Sequence, residues 1–165
     1  MMNKNAKLSP HFTLGEMTMT SAKGLDNTPS HAAVMNLKNL CENWLEELRY
    51  TYNSLYCLKP GEDYETSKNV EPIIITSGYR SPDVNRAVGG ANSSNHLTGC
   101  AVDIRCVGVE QAIHYAAILL DAADDRQEDF DELLIERNRK GHYWVHFAVR
   151  PPKEGNRRKV MFLQM

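Results

Sequence analysis

Three side chains in this sequence carry donor atoms that suit a metal ion: His96, Asp103 and His146. The first two belong to the run Ser94-Asn95-His96-Leu97-Thr98-Gly99-Cys100-Ala101-Val102-Asp103. His96 reads as a loop residue and Asp103 as part of the strand that follows, with Gly99 allowing a tight turn between them. Asp103 interrupts the otherwise apolar Ala101-Val102-Asp103-Ile104. A carboxylate there needs a partner, because burying an unpaired charge is costly. A metal ion is one such partner; a salt bridge is another. His146 lies within Tyr143-Trp144-Val145-His146-Phe147-Ala148-Val149, where strand alternation sets Trp144, His146 and Ala148 on one face. A lone histidine on such a face is either a packed core residue or a ligand. Two histidines and an aspartate together would make a three-ligand zinc site with one tetrahedral position left for water, as in catalytic rather than structural sites.

Several elements must bring these residues together. Thr13-Leu14-Gly15-Glu16 has capping-box spacing for a short helix. Apolar residues at Val34, Leu37, Cys41, Trp44, Leu45, Leu48 and Tyr52 recur at helical intervals and predict one long amphipathic helix. Ile73-Ile74-Ile75-Thr76 reads as a buried strand, Ser81-Pro82 as a helix start and Gly89-Gly90 as its end. Further strands are predicted at residues 100–105, 131–136, 143–149 and 159–163, with a second amphipathic helix over 109–123. Helices first and a mostly antiparallel sheet after them define an α+β class.

With 165 residues, 42% apolar and 24% charged, the chain is expected to form one domain over residues 1–165. That composition excludes a disordered tail, a collagen-like fibre and a coiled-coil rod. A net charge of −2 argues against a general polyanion binder. The longest apolar stretch, residues 116–120, is far short of the roughly 20 residues a membrane span needs. The cysteines Cys41, Cys57, Cys100 and Cys106 form no C-x-x-C pair and read as small buried thiols. No apolar segment follows the polar start, so no secretory signal is read, and the chain is expected in the cytoplasm as synthesised. Charge is uneven: residues 121–136 hold eight acids and one base, residues 137–159 eight bases and one acid. These runs are either two oppositely charged solvated faces or, in the second, a basic rim around a site for carboxylate-bearing substrates. The basic run lacks the interleaved aromatics or motif of a nucleic-acid binder.

Ser94-x-His96-x-x-Gly99-x-Ala101-x-Asp103, followed by Trp144-Val145-His146, resembles the zinc D-alanyl-D-alanine carboxypeptidase family. That family includes bacterial cell-wall peptidases and phage endolysins and shares its fold with the Hedgehog signalling domain. Thr76-Ser77-Gly78-Tyr79-Arg80-Ser81, with Val84-Asn85 and Val88-Gly89-Gly90, resembles its upstream motif. The resemblance implies a Hedgehog/DD-peptidase-like fold, with N-terminal helices on a small sheet, and one zinc ion per chain bound by His96, Asp103 and His146. It also implies that Arg80 faces the site. A guanidinium there can clamp a substrate carboxylate or stabilise an oxyanion; the plainer reading is a loop arginine bridging to an acid. Ser94 would bind substrate or support the site, or simply cap its loop.

A zinc-activated water also needs a general base. Many members of the family carry an acid three residues before the last histidine ligand, where this chain has Tyr143. Glu136, at the end of Leu133-Leu134-Ile135-Glu136, is the best substitute if the 137–142 loop folds its strand back beside His146. The alternative for Glu136 is a surface pair with Arg137 or Arg139. His142 is a weaker candidate base and Tyr143 weaker still. The function implied is hydrolysis of peptidoglycan stem peptides, as a carboxypeptidase removing terminal D-Ala or as an endopeptidase. If no base serves, the alternative is a non-catalytic zinc module that binds cell-wall peptide or a protein. With no secretory signal read, access to the wall is expected through phage-type lysis or non-classical export in either case.

Overall fold

In this computed structural model, which describes residues 3–164, the expected capping box opens the first helix, α1 (Leu14–Met17). The Thr13 hydroxyl accepts from the Glu16 N–H, and the Glu16 carboxylate accepts from the Thr13 N–H. Ser30 caps α2 (His31–Leu40) by accepting from Ala33 N–H at 3.2 Å. The predicted long helix does not stay regular. A π-helical turn (Cys41–Leu45) joins α2 to α3 (Glu46–Tyr52), and a second one (Asn53–Cys57) ends the run. The apolar stripe survives the first turn: Leu37, Cys41, Trp44, Leu45, Leu48 and Tyr52 are all buried. Ser81 caps α4 (Pro82–Ala87), with proline at its first position, and α5 covers Val109–Arg126.

Five strands form one sheet: β1 (Ile75–Ser77), β2 (Ala101–Cys106), β3 (Glu132–Arg137), β4 (Tyr143–Ala148) and β5 (Lys159–Gln164), in the order β1-β2-β4-β3-β5. Every pairing is antiparallel except β3 with β5, so the α+β class with a mostly antiparallel sheet holds. One sheet face, including Val102, Ile104, Leu133, Val145 and Phe147, is buried among the helices. The Trp44 ring lies 5.0 Å from Phe147 and Phe130 lies 5.6 Å from it. Each such side chain contributes about 1.5–3 kcal/mol by burial, so this face makes a rigid floor. The opposite face, with Asp103, Glu132, Leu134, Glu136, Trp144 and His146, lines a cleft.

Two expectations are corrected. Residues 73–76 do not form a uniformly buried strand. β1 is a short edge strand that begins only at Ile75; Ile75 and the preceding Ile73 are buried, while Ile74, also before the strand, is 43% exposed. The two charge runs are not separate solvated faces either. Parallel pairing of β3 with β5 lays one against the other: Arg157 pairs with Asp131 and Glu132, Lys159 with Glu132, and Arg158 with Asp124 and Asp129.

Candidate metal centre and active site

His96 is carried by a 3₁₀ turn (Asn95–Thr98) that Ser94 caps, its Oγ accepting from the His96 N–H at 3.3 Å. The turn ends at Gly99 in the left-handed region, φ 72°. A Cβ at Gly99 would meet the Ala33 carbonyl oxygen at 2.5 Å, so both its conformation and its packing require glycine. The Ser77–Ser81 segment is tied to this turn. Arg80 N–H donates to the His96 carbonyl at 3.0 Å, and His96 Nδ1 is 2.6 Å from the Gly78 carbonyl. Gly78 is itself pressed against Met17, whose carbonyl oxygen would lie 2.3 Å from a Cβ there.

Asp103 and His146 come from neighbouring strands, directly opposite each other in the β2–β4 register. Asp103 Oδ1 lies 3.3 Å from His96 Nε2 and 2.9 Å from His146 Nδ1. The three donor atoms lie within 4.8 Å of one another and all three residues are buried. The other nitrogen of each histidine is also engaged: His96 Nδ1 by the Gly78 carbonyl, and His146 Nε2 by Glu132 Oε2 at 3.4 Å. A ring N–H must occupy each of these outer contacts, because the partner is an acceptor. Each neutral imidazole then turns a lone pair toward the same carboxylate oxygen. Three buried acceptors facing one another need a cation between them. Donors bound tetrahedrally at zinc distances of about 2.0–2.2 Å stand roughly 3.3 Å apart, close to the two separations found here. Two imidazoles and a carboxylate are a zinc-type donor set, and outer acceptors on both rings fix the tautomers as metal-bound histidines require.

The electrostatics agree with this geometry. Burial would raise the Asp103 pKa, but the charges and hydrogen bonds of His96 and His146 hold it far below the carboxylate range. Burial would lower His146, but Asp103 and Glu132 outweigh it and push its pKa up to about 9. Arg80 donates from Nη2 to Asp103 Oδ2 at 2.6 Å and from Nε to Ser77 Oγ at 2.8 Å. It therefore bridges to an acid, and that acid belongs to the cluster.

The cleft, about 520 Å³, is lined by every predicted site residue: Arg80, Ser94, His96, Asp103, Glu136 and His146. Glu136 stands opposite Trp144 across β3–β4, and Leu134 stands opposite His146. Burial raises the Glu136 pKa and the Asp103 charge adds to it, with His146 pulling the other way. The other two candidate bases stand elsewhere. His142 lines a neighbouring hollow at the hairpin. Tyr143 is on the opposite sheet face, its ring 6.4 Å from Phe162.

Sequence reasoning missed Glu132 and the network behind it. Glu132 accepts from Asn95 Nδ2 at 3.2 Å and pairs with Arg157 and Lys159. Its hydrogen bond to His146 lowers its pKa to about 2 against the opposing effect of burial. Asn95 also donates to the buried Asp131 at 2.7 Å and accepts from Arg150 Nε at 2.8 Å. Alternation along β3, which puts Glu132, Leu134 and Glu136 on one face, is the signal that could have found Glu132.

A buried two-histidine, one-carboxylate cluster in a cleft, with an acid on either side of it, is the equipment of a metal-dependent hydrolase. Residues 62–147 match the family described as Peptidase M15, just over half of the chain and all three cluster residues. The chain belongs to this family of zinc-dependent metallopeptidases. No curated protein matches the chain.

Proposed function

We propose that this protein is a zinc peptidase that hydrolyses bonds within peptidoglycan stem peptides. The observation that carries the reading is the cluster of three buried acceptors, His96 Nε2, Asp103 Oδ1 and His146 Nδ1, lining a cleft beside Glu136. A zinc ion held there supplies a bound water acidic near neutral pH and an electrophile for the scissile carbonyl. Glu136 is the general base of this reading: it takes the proton of the attacking water and returns it to the leaving amine. Its raised pKa supports this role, whereas Glu132, held near 2 by its neighbours, is too weak a base. Arg80 holds Asp103 and adds a fixed positive charge beside the developing oxyanion. Ser94 fixes the turn that carries His96 and offers its hydroxyl at the cleft wall.

The test is to incubate zinc-loaded protein with isolated peptidoglycan and identify the products by mass spectrometry. Release of single D-alanine would mark a carboxypeptidase, and larger fragments an endopeptidase. About one zinc per chain, lost in His146→Ala, is expected alongside hydrolysis. Zinc without any hydrolysis would leave the non-catalytic binding module, and no zinc would overturn the reading.

A further inference from the structure

Three arginines line the cleft, and they differ in what remains unspent. Arg80 commits Nε to Ser77 and Nη2 to Asp103. Arg157 grips both oxygens of Asp131 with Nε and Nη2, and Nη2 also meets Glu132 at 3.0 Å. Arg150 is held by Nε alone, which donates to Asn95 Oδ1 at 2.8 Å and lies 3.2 Å from Asp131 Oδ2. Neither Nη atom of Arg150 has a partner among the described residues, and the side chain keeps 26% of its exposure. Its main chain is fixed as well: N–H donates to Asn156 Oδ1 at 2.9 Å, and the carbonyl accepts from Asn156 Nδ2 at 3.1 Å. Arg150 also borders a neighbouring hollow, but the bond from Nε to Asn95, next to His96, ties its head to the metal side. A guanidinium anchored through Nε offers its two terminal nitrogens as a fork, the geometry that matches a carboxylate.

Charge and position select the ligand. Asp131 and Glu132 against Arg150, Arg157 and Lys159 leave one net positive charge in this group, enough for one carboxylate. Along β4, Trp144 stands beside Glu136 on one side of His146, and Ala148 stands beside Glu132 on the other, with Arg150 beyond it. The cleft therefore has an acidic end at Glu136 and a cationic end at Arg150. We propose that Arg150, backed by Arg157, is a carboxylate subsite that binds a free carboxylate of the peptide substrate and so sets its direction in the cleft. This rests on the peptidase reading above.

Calorimetric titration of metal-free protein tests it with a stem pentapeptide ending in D-Ala-D-Ala, its C-terminal amide, and the same peptide amidated at its internal D-glutamyl carboxylate. One amidation is expected to weaken binding by roughly tenfold to a hundredfold, the range for hydrogen bonds to charged groups. Which amidation does so identifies the carboxylate that is read. The preference should vanish in Arg150→Gln and survive only in part in Arg150→Lys, which keeps charge without the fork. Indifference of the wild type to both amidations, an undiminished preference in Arg150→Gln, or no binding at millimolar peptide would each overturn the subsite. Thermal melts check that the variants fold. Arg150 side-chain NMR signals of the wild type, shifting with the acid and not the amide, decide the matter without any variant. Hydrolysis of isolated peptidoglycan by the zinc-loaded wild type is scored separately. Hydrolysis without the preference sinks the subsite alone, and the preference without hydrolysis sinks the peptidase reading alone.

Discussion

Glu132 and Glu136 flank His146 from one strand face, yet their surroundings drive them apart. Glu132 is hydrogen-bonded to His146 and Asn95 and paired with two cations, which keeps it ionised to about pH 2. Glu136 is half-buried beside Trp144, and burial raises its pKa against the opposing pull of the His146 charge and a hydrogen bond from Trp144. In the proposed function such a split would give the low-pKa group the work of orienting a ligand and the raised one that of moving protons. Glu136→Gln is therefore expected to lower kcat by about 10²–10⁴-fold with zinc content unchanged. A base must be ionised to act, so kcat/KM in the wild type should fall at an acid limb above the ordinary glutamate value. That limb should be absent from any residual activity of Glu136→Gln. Glu132→Ala should instead weaken zinc binding about 10–100-fold, measured by competition with a chelator, and keep most of its kcat at saturating zinc. Identical effects in the two variants would remove the distinction.

At the scale of elements, the site depends on a turn and a segment held where side chains cannot fit. Gly99 ends the His96 turn at positive φ against Ala33, and Gly78 presses on Met17 while its carbonyl fixes the His96 ring. Gly99→Ala should cost about 2 kcal/mol or more, since the left-handed conformation alone costs roughly 1–2 kcal/mol. Denaturant unfolding measures that loss, and it should come with weaker zinc binding because His96 is displaced. A stable Gly99→Ala protein with weakened zinc binding would mean that the turn moves instead of straining. This level explains what the sequence could and could not reveal. Periodicity is local, so the α2–α3 stripe, the alternation of β4 and the capping box at Thr13 were legible. Asp103 and His146 stood out as polar breaks in apolar strands, but the set of three with His96 was legible through the resemblance of its motifs. Glu132, Asn95 and Arg150 were not, because their partners lie 14, 36 and 55 residues away and only the sheet order brings them together. The meaning of Gly78 was hidden for the same reason: flexibility is a property of the residue, but close approach is a property of the fold.

At the scale of the whole molecule, the centre links the sheet to the turn that precedes it, so its occupancy must be felt in global stability. Without metal, a proton is the cation available to three facing acceptors. Metal-free His146 holds its proton to about pH 9, against an ordinary 6.5: burial opposes this, and Asp103 and Glu132 prevail. A raised folded pKa gives stability that is complete below 6.5 and is lost as pH rises through about 9. Asp103 has the opposite sign: its depressed pKa stabilises the fold above the ordinary value of 3.8, and that contribution is lost in acid. Between pH 6.5 and 9 the histidine changes while Asp103 stays ionised, and the buried thiols, raised above their ordinary 9.0, add a loss of the same sign toward the upper end, so the Tm of chelator-treated protein should fall across that window. Zinc competes for the same lone pairs, so its binding should tighten as pH rises, and loaded protein should hold its Tm where the metal-free protein loses it. Thermal melts of both forms at the two ends of the window make the comparison. A metal-free Tm that stays flat would mean that His96, Asp103 and His146 share no proton, and the case that they await a metal would lose its physical basis.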